Sequence, residues 1–306
     1  MKLSTSTNLL FLRPDGRIFP LPEAMALMRE AGFTYLDMNF YDWSTTPGSP
    51  YMTGDWQRWL DGVLEAKERL GIRYEQSHAY FFNFLDPALD REWWQHQQDQ
   101  VLRSLDCCRQ LGVKTAVIHP CTVFGSQRMT EDSKQANIRY IEGLLEATYR
   151  SGIVLAVENM VDRDIYPIRK YCAVPEELVE LVDAVGDPRV KICWDFEHGD
   201  IMGQDQPSVL RLLGDRLAAT HVSEQHGWGE LYLLHRLPLT GKIQWAPILA
   251  ALREIGYQGC FSYEAHNYLN ALPDTCIQPA LEIAYRVGEH LMTCLLYTSP
   301  SPRDRG

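Results

Sequence analysis

One junction recurs along this 306-residue chain and constrains its folding more than any other feature. An amphipathic stretch ends at glycine, and a β-rich run begins at once. The copies are Ala31-Gly32-Phe33, Leu70-Gly71-Ile72, Leu111-Gly112-Val113, Ser151-Gly152-Ile153 and Ile255-Gly256-Tyr257, with looser ones at Gly186 and Gly214, each followed by Asp. The residue after a helix often takes φ > 0, which a Cβ makes costly, so glycine belongs there. Successive copies stand 28 to 42 residues apart, the length of one strand and one helix with their loops.

The segments between the glycines carry the matching patterns. Trp56, Trp59, Leu60, Val63, Leu64 and Leu70 form one apolar stripe at helical spacing. Pro22, Pro175 and Pro247 stand near helix starts, where a missing N–H is harmless. Strands are expected near 3–11, 35–40, 73–78, 115–119, 154–158, 191–195, 217–222 and 260–264. Two of them, around Ala116-Val117-Ile118 and Val154-Leu155-Ala156-Val157, are continuously apolar, as parallel strands buried on both faces should be. Eight strands with helices between them predict a single α/β domain, a closed (β/α)8 barrel, rather than an open doubly wound sheet. Neither a G-x-G-x-x-G after the first strand nor a G-x-x-x-x-G-K-[ST] loop is present.

The barrel is expected over residues 1–294. Residues 295–306 lack any helical or strand period, and their run Leu296-Tyr297-Thr298-Ser299-Pro300-Ser301-Pro302-Arg303-Asp304 resembles a translated sequencing adaptor, so they are left out of the fold.

Composition excludes several classes. A chain with 45% hydrophobic and 23% charged residues can bury a sizeable core. No apolar run reaches the ~18 residues of a membrane span, and the N-terminus lacks a secretory pattern, which together lead us to expect a cytoplasmic protein. The eight cysteines include no C-x-x-C pair and read as reduced thiols. A net charge of −11 without long charge blocks disfavours a nucleic-acid partner. A homo-oligomer is compatible with the sequence, which is silent on assembly.

Placing the ionisable residues on the expected strands gathers them at one end. His78, His119, Glu158, Asp195, His221 and Glu264 close strands three to eight, at the carboxyl ends where (β/α)8 enzymes carry their chemistry. Seven of the nine histidines lie at such an end or in the loop that follows. Glu158, Asp195 and Glu264 converging in one low-dielectric space would repel one another unless a cation joined them. A divalent ion supplies that cation, and His221 completes a mixed N/O set suited to Mn, Mg, Co or Zn. Around this quartet, His198 and His235 are candidates for substrate or a second metal. His78 and His119 are candidates for substrate or for satisfied core positions. Glu224 is a candidate for a metal ligand or substrate hydroxyl, against a solvated loop carboxylate. Trp194 and the run Tyr80-Phe81-Phe82 are candidates for the apolar wall of a sugar site, against barrel packing for Trp194.

Over residues 2–292 the chain resembles the xylose isomerase-like barrels, particularly the sugar phosphate isomerase/epimerase group that includes the ketose 3-epimerases. The resemblance is carried by Val157-Glu158-Asn159, Trp194-Asp195-Phe196-Glu197-His198, Thr220-His221-Val222, Gly241-Lys242-Ile243-Gln244-Trp245, Gly256-Tyr257-Gln258-Gly259 and Tyr263-Glu264. It implies one divalent metal on Glu158, Asp195, His221 and Glu264, acting as a Lewis acid beside a keto sugar and its enediolate. It further implies Glu158 and Glu264 as the acid and base on opposite faces of the reacting carbon, and His198 as a contact to a substrate oxygen. The arginine of the epimerases after the strand-seven histidine has no counterpart here, since Glu224, Gln225 and His226 follow His221. The same site suits a dehydratase or lyase acting on a keto-inositol, a dehydroshikimate-like compound or a keto-glycoside. The three-zinc endonuclease IV branch shares the pattern His78, His119, Glu158, Asp195, His198, His221, His235 and Glu264, but its D-x-H would need Asp where Leu233 stands. A sugar-binding subunit without turnover is the non-enzymatic reading, against which the retention of both glutamates counts.

Overall fold

The computed structural model describes residues 1–162, 169–227 and 230–294; the tail assigned to 295–306 lies outside them. Eight parallel strands close into a barrel in chain order. They are β1 (Lys2–Ser6), β2 (Tyr35–Asn39), β3 (Arg73–His78), β4 (Thr115–Ile118), β5 (Val154–Glu158), β6 (Val190–Asp195), β7 (Leu217–Val222) and β8 (Cys260–Tyr263). The last strand pairs with the first through Lys2 opposite Cys260 and Thr5 opposite Tyr263, which removes every free sheet edge.

The junction glycines explain how each helix turns into its strand. Gly71, Gly112 and Gly186 end their helices with φ of 64°, 78° and 68°, the left-handed conformation that a side chain disfavours. At Gly112 the backbone N–H donates to the carbonyls of Arg109 and Cys108, closing the end of the helix Arg91–Leu111. The stripe on the helix Trp56–Leu70 packs as the periodicity predicts: Leu60, Val63 and Ala66 are buried, and Trp56, Trp59, Leu64 and Leu70 lean on the same core.

Most apolar burial lies between the strands and the helical ring. Inside the barrel a smaller plug of Val117, Ala156, Cys193 and Ala219, one from each of β4 to β7, forms a separate cluster. The rest of the interior is polar. Gln76 donates to Asp37 Oδ2 at 2.6 Å and to the Thr220 carbonyl at 3.1 Å, and the Ser262 hydroxyl donates to the same Asp37 oxygen at 3.1 Å.

The first strand is shorter than its pattern predicts. Ser6 accepts a hydrogen bond from the Asn8 N–H at 3.3 Å, and Thr7–Leu10 wind into a 3-10 turn, so the expected strand 3–11 stops at Ser6. All four turn residues are buried, which gave them the polarity of a strand interior. No helix among the described residues is long and apolar enough to cross a membrane. Among the described residues seven cysteines are free, six of them buried.

Candidate active site

Each strand delivers its polar residue at the point where the ladder gives way to a loop. Asp195 is both the last residue of β6 and the N-cap of the helix Phe196–Ile201, its Oδ1 accepting from the His198 N–H at 2.8 Å. Asn39 does the same at the end of β2, accepting from the Asp42 N–H at 3.0 Å. His119 and Glu264 stand one residue past β4 and β8.

The structure brings the four expected ligands together. Donor atoms of Glu158, Asp195, His221 and Glu264 lie within 4.8 Å of one another, all on buried residues. His221 Nδ1 sits between the two glutamates, 2.9 Å from Glu158 Oε1 and 3.2 Å from Glu264 Oε2. Its Nε2 faces Asp37 Oδ2 at 3.7 Å, the carboxylate-backed arrangement that fixes ring orientation in metal-ligating histidines. Asp195 Oδ2 is buried and has no hydrogen-bond partner among the described residues. A coordinated cation would satisfy it instead, so this oxygen and the mixed N/O donor set fit a divalent metal.

Glu158 faces two ways. While Oε1 meets His221, Oε2 lies 2.9 Å from His119 Nε2 and 3.5 Å from His78 Nε2. His78, His119 and Glu158 thus form a second buried or near-buried set whose donors also fall within 4.8 Å. The Ala79 carbonyl, 3.0 Å from His78 Nδ1, can only accept, so the proton belongs on Nδ1 and Nε2 is left to face the site.

The glutamates are pushed in opposite directions. Burial raises Glu264, and the negative Glu158 and Asp195 add to it against His221, bringing it to about 7. Burial would raise Glu158 as well, but the imidazoles of His221 and His119 outweigh it and hold this carboxyl well below the ordinary range. Burial also pushes His119 down to about 4 and His235 down to about 4, against the pull of nearby carboxylates.

A cleft of about 240 Å³ opens above the quartet, lined by Glu158 and Glu264 together with His78, His119, His198 and His235. His198 Nδ1 donates to the Asn159 carbonyl at 2.7 Å, which turns Nε2 toward Asp195. His235 holds a positive φ of 51° and stacks on His266 with ring centroids 4.3 Å apart.

Two expected contacts are corrected. Trp194 is fully buried in the layer outside the barrel, its indole N–H donating to Gln206 Oε1 at 3.0 Å and its ring against Gly199, where a Cβ would stand 2.8 Å away. It packs the helices and forms no wall of the cleft. Glu224 is neither a solvated loop carboxylate nor a cleft residue. Its Oε1 accepts from the Trp245 indole at 2.5 Å and the Leu239 N–H at 2.8 Å, and its backbone pairs with Arg236. It ties the loop after β7 to the helix Trp245–Glu254.

The cleft also contains residues not foreseen as site residues: Asn8, Asn39, Tyr41, Asp42 and His266. Asn8 Nδ2 lies 3.3 Å from His266 Nδ1. Burial raises Asp42 to about 6, partly offset by His78. For Asn39 alone a signal was available, in Asp37-Met38-Asn39, polar residues alternating inside an otherwise buried strand. Phe81, from the aromatic run, does line the cleft, stacked on His119 at 3.7 Å and on Tyr41 at 4.5 Å.

Comparison with known proteins agrees with this architecture. The family described as xylose isomerase-like TIM barrel matches residues 25–282. A D-psicose 3-epimerase of Enterocloster bolteae is 32% identical over 122 residues, 40% of this chain and 36% of that protein. Among solved structures, a D-tagatose 3-epimerase-like protein superposes with a TM-score of 0.73 at 16% identity, covering 97% of this chain and 98% of the other. A 3-keto-D-glucoside 4-epimerase from E. coli gives a TM-score of 0.69 at 17% identity, covering 94% and 99%.

Proposed function

Because the chain belongs to the xylose isomerase-like TIM-barrel family, we propose that it is a divalent-metal-dependent isomerase or epimerase acting on a ketose or related keto sugar by proton transfer next to the carbonyl. The observation that carries this reading is the pair of glutamates flanking His221 Nδ1 at 2.9 and 3.2 Å, both in the buried donor set that Asp195 completes. Two carboxyls on either side of one site suit a base and an acid for a proton moved from one face of a carbon to the other. The epimerases among the similar proteins favour a carbohydrate.

Glu158, Asp195, His221 and Glu264 would hold the ion, whose chemistry is to polarise the substrate carbonyl and so acidify the neighbouring C–H. Glu158 receives the proton at its carboxylate. Glu264 would return one to the other face, and the two exchange roles in the reverse direction. His198 Nε2, directed by the Asn159 carbonyl, is placed to donate to or accept from a substrate hydroxyl. Phe81 and Tyr41 cover an apolar ring face and keep water from the exchanging proton.

The test is NMR-detected deuterium uptake at the carbon next to the carbonyl, screened over unphosphorylated ketoses and keto-glycosides with Mn, Mg or Co added. Uptake together with conversion to an isomer of the same composition is the expected result. Uptake with loss of water or of a substituent would reassign the protein as a dehydratase or lyase, and no uptake with any of them would remove the reading.

A further inference from the structure

A second cleft adjoins the first. It shares Phe81 and His119 with the cleft above the quartet and continues along Phe82, Pro120, Phe124 and Met160, with a volume of about 180 Å³. We propose that this cleft is a subsite for an aromatic substituent carried by the sugar, so that the substrate is an aryl keto-glycoside rather than a free ketose. The proposal rests on the reading that the quartet's cleft handles a keto sugar.

The chemistry of the walls separates the two clefts. The first is ringed by histidines, asparagines and carboxylates. In the second the polar groups of the loop after β4 are already engaged. The Cys121 N–H and carbonyl both bond Asn137, at 2.9 and 2.7 Å, and the Val123 N–H donates to the Ser133 hydroxyl at 2.9 Å. Thr122 Oγ1 accepts from the Tyr171 N–H at 2.9 Å, and the Cys121 thiol points to the Phe82 carbonyl. These bonds fix the loop on the helix Met129–Ala147 and leave mainly apolar surface facing the cleft. Apart from Asn83 and Lys170 at its rim, a second sugar ring would bring hydroxyls to groups that already have partners, whereas a flat apolar ring loses little on entering.

Size and placement agree. A cavity of about 150 Å³ accepts benzene, and the second cleft exceeds that volume at about 180 Å³. Neither cleft alone reaches the ~300 Å³ typical of sites for larger small molecules, whereas a sugar bearing one ring would span both. The crossing point is His119, stacked on Phe81 and 2.9 Å from Glu158, so the substituent would enter close to the reacting carbon. Phe124 is 55% exposed at the outer edge, an aromatic surface that a bound ring would cover. Lys170 is the one cation among the described lining residues, suited to a phenolic or acidic group on that ring.

Binding separates this proposal from turnover. With magnesium-loaded protein, phenyl β-D-glucopyranoside and methyl β-D-glucopyranoside serve as non-reacting probes, read by saturation-transfer NMR and titration. The phenyl compound is expected to bind roughly ten-fold or more tightly, the worth of burying one ring, with saturation strongest on its ring protons. Phe124→Ala and Met160→Ala should each shrink that preference toward one. Equal affinity for the two probes, no measurable binding of the phenyl compound, or a preference untouched by both substitutions overturns the subsite. Failure of the catalytic reading would appear separately, as absent deuterium uptake on keto sugars.

Discussion

At four of the junctions where helices turn into strands, glycines hold left-handed backbone in open surroundings: a Cβ on Gly71, Gly112, Gly152 or Gly256 would meet nothing within 4 Å, whereas one on Gly32 would meet the Tyr285 ring at 2.6 Å. At the opposite end of the same strands, space is scarce and polar atoms crowd together. Asp195 Oδ2, Glu197 Oε1 and His235 Nδ1 are buried without hydrogen-bond partners among the described residues, and His235 is held at positive φ. One end uses a repeated, replaceable device to make the fold. The other holds unfavourable local arrangements that only a ligand would relieve. Substitutions at the first should therefore cost stability and spare chemistry, and those at the second should do the reverse.

The sharpest test is Glu264→Gln. It should lower deuterium exchange by ~10²–10⁴-fold, the usual worth of a general acid or base. The thermal midpoint of the metal-free protein should hold or rise, because burial there disfavours the charged form of this side chain. A collapse of the fold instead would make Glu264 part of the scaffold. Removing divalent metal with a chelator comes next. Exchange should vanish and the midpoint should fall, by the equivalent of ~2.7 kcal/mol for an ion present at a hundred times its Kd. An unchanged midpoint on adding metal back would place the ion elsewhere or nowhere.

Asp42 gives a smaller and pH-dependent effect. Its carboxyl is raised to about 6 in the folded chain, so folding favours the protonated form. That contribution is complete below the ordinary aspartate range and is lost as pH rises through about 6. Asp42→Asn should accordingly raise the thermal midpoint at pH 7.5 more than at pH 4. Equal shifts at the two pH values would mean that burial does not govern this carboxyl. The smallest expected effect is at the other end, where Gly112→Ala should cost ~1 kcal/mol for a side chain at φ of 78°, with exchange kinetics unaltered. A loss of activity there would break the contrast between the two ends.

The same contrast explains what the sequence disclosed. Junction glycines and apolar strands are local signals, and β3, β5 and β7 begin and end at the predicted residues. The quartet was legible because each member closes such a strand. Asn8, Asp42 and His266 were not, because they reach the cleft from a 3-10 turn and loop helices that carry no period. The β1 pattern misled for the same reason: a buried turn and a buried strand have similar polarity. Glu224 and Trp194 sit near strand ends and look like site residues, but the direction of a side chain there depends on partners far away in sequence, Trp245 and Gln206.

Asn159 receives the Asp195 N–H on Oδ1 at 2.6 Å and gives its Nδ2 hydrogen to the Asp195 carbonyl at 3.0 Å. A side chain thereby adds one more rung between β5 and β6 where the backbone ladder has run out. Glu158 and Asp195 consequently ride on a single stiff piece, and thermal breathing of the barrel mouth would have to carry both together. The Asp195 amide should therefore exchange with solvent at the pace of the inner strands rather than of the surrounding loops.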